Sequence, residues 1–144
     1  MIEQDTIRLL RECDAGVKMG VSSIDDVLPR VQDIQLRRQL RQSKAEHEKL
    51  KTELQQALER FHDEGKEPGM MAKTMSAFKT NLELTVDHSD HTIADLMTDG
   101  CNMGVKSLSK YLNQYKAADE SAKDVCKRLI HLEEQLAHSI RGYL

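Results

Sequence analysis

The chain contains no tryptophan, and only 3% of its residues are aromatic. Clusters of Val, Ile, Tyr and Phe that would favour strands are missing, which argues against a sheet. Proline occurs twice in 144 residues, so long stretches are free of the ring that breaks helices. No apolar run is long enough to cross a bilayer. The opening Met-Ile-Glu-Gln-Asp has neither the basic nor the apolar region of a secretory signal. The three cysteines, Cys13, Cys101 and Cys126, are odd in number, widely spaced and without a C-x-x-C pair. They support neither a disulfide framework nor a zinc ribbon, and a reducing cytoplasm is the expected compartment. Formal net charge is −3 with both signs interspersed. Without a basic stripe or polybasic block, the chain is expected to bind neither nucleic acid nor membrane.

What is abundant is Leu, Lys, Glu, Gln and Met, the composition of an all-α bundle. The length suits a single domain over 1–144. The clearest pattern runs from 36 to 61, where Leu36, Leu40, Leu50, Leu54, Leu58 and Phe61 mark one face of a long amphipathic helix. His47 stands on that face where another leucine is expected.

The same reasoning gives five helices in all, of which this is the second. The first spans about 5–28, with Ile7, Leu10, Val17, Val21, Ile24 and Leu28 as its stripe and Cys13 and Asp14 at the stripe's edges. Gly16 and Gly20 weaken it by roughly 1 kcal/mol each relative to alanine, so a neighbour must need the space. Pro29 ends or bends it. The second helix spans about 31–62 and closes at the turn over 63–69. A short helix over about 70–85 carries Met71, Met75, Phe78 and Leu82 on one side.

The fourth spans about 90–116, capped by Ser89 or Asp87. It buries Ile93, Met97, Gly100, Gly104, Leu108, Tyr111 and Tyr115, its two glycines permitting close helix approach. The fifth opens on a capping box from Ser121 to Asp124 and buries Val125, Leu129, Leu132, Leu136, Ile140 and Tyr143.

Few residues offer chemistry. His47 can ligate a metal or hydrogen-bond quietly inside the bundle, and the bordering Lys44 and Lys51 oppose a cation. His88, His91 and Asp95 share a face at steps of three and four, a spacing that can bind a divalent metal. That face is opposite the core stripe, and a solvated helix start is the plainer reading. Cys13 and Cys101 border core stripes, where thiols behave as small buried hydrophobes.

Two long helices, a crossover with a short helix, and two more long helices resemble the ferritin-like superfamily, over nearly the whole chain. More closely, the chain is similar to small bacterial ferritin-like domains of unknown function and to spore-coat-related bundles. Leu-Arg-Glu-Cys-Asp-Ala-Gly (10–16), Ala-Glu-His-Glu-Lys-Leu (45–50) and Leu-Ile-His-Leu-Glu-Glu-Gln-Leu-Ala-His (129–138) sit where that pattern places its signatures.

The resemblance implies an up-down bundle. Its di-iron members take a Glu from each of two helices and a Glu-x-x-His from each of the other two. This chain departs from that set. The first helix offers Asp14, the second His47 preceded by Lys44, the fourth Gly100 and Gly104 with Asp99 pointing away, and the fifth Glu133. Glu134 and His138 are four apart and lie opposite the apolar stripe. A residual iron or zinc site would use Asp14, His47 and Glu133, with Cys13 nearby.

Ala137-His-Ser-Ile-Arg-Gly142 also resembles the phosphorylated segment of histidine phosphotransfer bundles, with His138 as phosphoacceptor and Arg141 to steady the phosphoryl group. Ile140 and Arg141 replace that family's usual Leu and Lys. The expectation is therefore a non-catalytic interaction or scaffold module without a cofactor. Apolar surface left on the short third helix predicts a homodimer or a protein partner.

Overall fold

The computed structural model describes residues 2–67 and 89–144. The helix expected over 70–85, on which the dimer expectation rests, lies outside them, as do Asp87 and His88. The described residues form four long helices and no strand: α1 (Ile2–Val27), α2 (Ile34–Glu59), α3 (Asp90–Gln114) and α4 (Glu120–Ser139). None of them is long and apolar enough to cross a membrane.

Three helix starts are held by side chains that satisfy amides with no partner inside the helix. Asp33 accepts from Leu36 N at 2.9 Å, Ser89 from Thr92 N at 3.3 Å and Asp119 from Ala122 N at 2.8 Å. Ser89 thus caps α3 as its sequence suggests. The capping box expected at Ser121 does not form: the Asp119 carboxylate reaches the helix amides first, and Ser121 lies inside α4 and exposed. Asp33 likewise delays α2 beyond the expected start at 31. Pro29 falls in the short 3-10 turn Leu28–Arg30 that joins α1 to α2.

Hydrogen bonds at the two ends set the helix directions. At one end the amides of Gln32 and Asp33 donate to the Asp90 carboxylate at 2.9 and 2.8 Å, and Tyr143 Oη donates to Asp33 at 2.6 Å. The start of α2, the start of α3 and the turn after α4 therefore meet there. At the other end Asp119 N donates to Thr6 Oγ1 at 2.8 Å and Ala117 N to Asp5 at 3.0 Å. It follows that α2 and α3 run parallel, while α1 and α4 run opposite to both. α1 packs against α2, α3 and α4, and α4 packs against all three of the others.

This central place explains why α1 buries more than a narrow stripe. Thr6, Leu9, Ala15 and Met19 are buried beside Leu10, Val17 and Ile24, whereas Ile7, Val21 and Leu28 are only half-buried.

The segment after α2 is tied to α1 by charge. The Arg11 guanidinium grips the Asp63 carboxylate, and Lys66 N donates to Asp14 Oδ2 at 3.1 Å. Lys18, one turn beyond Asp14, reaches the same oxygen at 2.8 Å. Gly65 has φ +89°, and a Cβ there would run into the Asp14 carboxylate. Asp14 is thus an anchor for the chain leaving α2.

The apolar core falls into two clusters. Leu10, Val17, Leu50, Leu54, Leu108 and Leu129 belong to one, while Ile24, Leu36, Leu40, Met97, Leu136 and Ile140 belong to the other. Gly20 of α1, His47 of α2, Gly104 of α3 and Glu133 of α4 meet at one level of the bundle.

Candidate functional site

The layer between the two clusters is built around His47 and Glu133. His47 Nδ1 lies 2.8 Å from the Ser43 carbonyl oxygen. A carbonyl can only accept, so Nδ1 carries a proton and donates it. Nε2 lies 2.6 Å from Glu133 Oε1, a distance that requires one proton between the two atoms. The pair is formally neutral whichever partner holds that proton.

Neutrality is what allows two ionisable groups to be 1% and 8% exposed. Burial, the strongest single influence on His47, works against the charged ring. The hydrogen bond and negative charge of Glu133, with the Ser43 carbonyl, outweigh it and raise the His47 pKa above its ordinary value. The description that results is an imidazolium against a carboxylate.

The two glycines of the layer make room for this pair. A Cβ on residue 20 would stand 2.7 Å from both Cδ2 and Nε2 of His47, closer than carbon atoms pack. A Cβ on residue 104 would stand 3.4 Å from Glu133 Oε2. The close approach foreseen for these positions is thus to side chains from α2 and α4. Gly100 differs, since a Cβ there would meet nothing within 4 Å.

A cavity of about 50 Å³ lies over the pair, between α1 and α3. Met19, Met97, Leu108 and Leu136 supply apolar wall, Gly100 lines it, and Cys101 stands beside Glu133. Burial and then the neighbouring carboxylate hold the Cys101 thiol well above its usual range, so it stays protonated at neutral pH. The other two cysteines lie elsewhere: Cys13 of α1 and Cys126 of α4 belong to one core cluster, where the Cys126 thiol donates to the Leu108 carbonyl at 3.7 Å. All three are free thiols.

No family model, curated protein or solved structure matches the chain.

Of the three residues suggested for an interior metal, the structure brings His47 and Glu133 together. Asp14 stands apart, engaged with Lys18 and Lys66. Its signal was readable: Lys18 is at i+4 on the same helix. Lys44, where a ligand carboxylate would be expected, turns outward to Asp25 of α1 at 2.6 Å. Of the surface set, His91 and Asp95 are exposed on α3, and His88 lies outside the described residues. His138 is exposed in the last turn of α4, beside an open groove it shares with His131, Glu134 and Glu46.

A di-iron centre needs carboxylates from four helices and two histidines. The interior layer supplies one imidazole and one carboxylate, closed on each other, with glycine on the two remaining helices. Among the described residues no three His, Cys, Asp or Glu side chains are grouped to hold a metal ion. These residues do not fit such a centre.

Proposed function

We propose that the chain is a ferritin-like bundle that serves as a non-catalytic interaction or scaffold module. Two features support the bundle type. α2 and α3 run parallel, and the 30 residues between Glu59 and Asp90 connect opposite ends of the bundle. One long connection of this kind distinguishes ferritin-like bundles from simple up-down-up-down ones.

The observation that carries the functional reading is the polar layer itself. A proton sits where a metal-centred bundle would hold cations, and it already neutralises the single carboxylate present. Nothing in the layer is left with the charge to attract a divalent ion or to transfer electrons.

The test is metal analysis of protein purified without an affinity tag, combined with thermal melts in added iron(II) or zinc(II). The expected result is no stoichiometric metal and a melting temperature that added metal leaves unchanged. A metal bound at one or two equivalents that raises the melting temperature by several degrees would refute the module reading.

A further inference from the structure

We infer that the cavity over the His47–Glu133 pair is a binding site for a small, uncharged organic molecule that donates one hydrogen bond. This goes beyond the module reading and does not depend on it. The first observation is a recess of about 50 Å³ between α1 and α3 whose wall is mostly apolar. The space between bundle helices, where a few polar groups converge on apolar wall, is a place where ligands bind, and this recess is far smaller than a drug-sized pocket.

The second observation is an acceptor left over inside it. Glu133 is 8% exposed, and its Oε1 is taken by His47. Among the described residues no N–H or hydroxyl donates to Oε2, and the adjacent Cys101 thiol is a weak donor. Glu133 lines the recess, and beside the weak Cys101 contact its carboxylate keeps lone pairs that a ligand hydroxyl or amide N–H can meet.

Charge selects the class. The pair is neutral, so an entering cation or anion would leave net charge in an apolar interior, whereas a neutral donor would not. Size selects further. A cavity of about 150 Å³ accommodates benzene, so one a third as large fits about two to four heavy atoms. Gly100 marks the way in, since no heavy atom stands within 4 Å of where its Cβ would be.

Methionine methyl groups report occupancy directly. Met19 and Met97 line the cavity, whereas Met103, also on α3, is 43% exposed and serves as the internal reference. Protein with ¹³C-labelled methionine methyls is titrated with ethanol and, separately, with acetonitrile. Each probe has three heavy atoms, but only ethanol donates a hydrogen bond.

Ethanol is expected to shift Met19 and Met97 saturably, with half-saturation on the order of 10 mM, while Met103 responds only linearly. Acetonitrile is expected to bind at least tenfold more weakly. Gly100→Leu, which plugs the entrance, is expected to abolish the saturable shift while helical circular dichroism is retained. Should that variant fail to fold, the ethanol–acetonitrile comparison on the native chain still decides. Linear shifts at all three methionines, equal saturation by the two probes, or unchanged ethanol saturation in folded Gly100→Leu would each overturn the assignment.

Discussion

Glu133→Ala should destabilise the protein by about 3–5 kcal/mol at pH 7, the usual cost of removing one partner from a buried ion pair. His47 would keep its Nδ1–H bond to Ser43 but would face an apolar gap with Nε2. The more telling variant is Glu133→Gln, which preserves shape and removes only the charge.

In the native chain the His47 pKa is raised on folding. The pair's contribution is therefore fully present below the unfolded value of about 6.5 and is lost as pH rises through the higher folded value. Stability should fall with rising pH across that window, with a slope of at most about 1.4 kcal/mol per pH unit for one proton. Without the carboxylate, burial dominates and depresses the ring's pKa. Glu133→Gln should then lose stability as pH falls instead. Urea unfolding from pH 5.5 to 8.5 measures both slopes, and the same sign in the two proteins would contradict the linkage.

Gly20→Ala and Gly100→Ala make the same chemical change with opposite expected results. At residue 20 the new methyl would stand 2.7 Å from the His47 ring. The ring is pinned by Ser43 on one side and Glu133 on the other, so it cannot withdraw without breaking the pair. Overpacking of this kind costs about 1–3 kcal/mol, and loss of the pair would add to it. At residue 100 the methyl enters open space, and the better helix propensity of alanine should add about 1 kcal/mol of stability. Denaturant midpoints separate the two. Equal effects at both positions would mean that the glycines serve a common purpose unrelated to the pair.

The sequence was most legible where a property depends on one helix alone. The stripe from Leu36 to Leu58, the Ser89 cap and the interior position of His47 all follow from spacing within a segment and are present in the structure, whereas α2 ends at Glu59 and leaves Phe61 half-buried beyond it. Helix starts were misplaced where a capping aspartate was overlooked: Asp119 outcompetes Ser121, and Asp33 holds α2 to a later start.

Pairings between helices were not legible. His47 and Glu133 are 86 positions apart, and a helical wheel shows that each faces inward without showing that they face each other. Asp14 faces inward too, yet its level along the bundle brings it to Lys66 rather than to His47. The glycines show the same limit. Gly20 and Gly100 are alike in sequence, and only the opposing helices set a side chain against the first and none against the second.

The most direct test of the proton held between His47 and Glu133 is the ¹⁵N spectrum of the His47 ring followed through pH. Nδ1 should stay protonated throughout, and Nε2 should remain protonated above the ordinary histidine pKa of about 6.5 and lose its proton only at higher pH. A ring that is neutral at pH 6, or one whose Nδ1 carries no proton, would contradict the account.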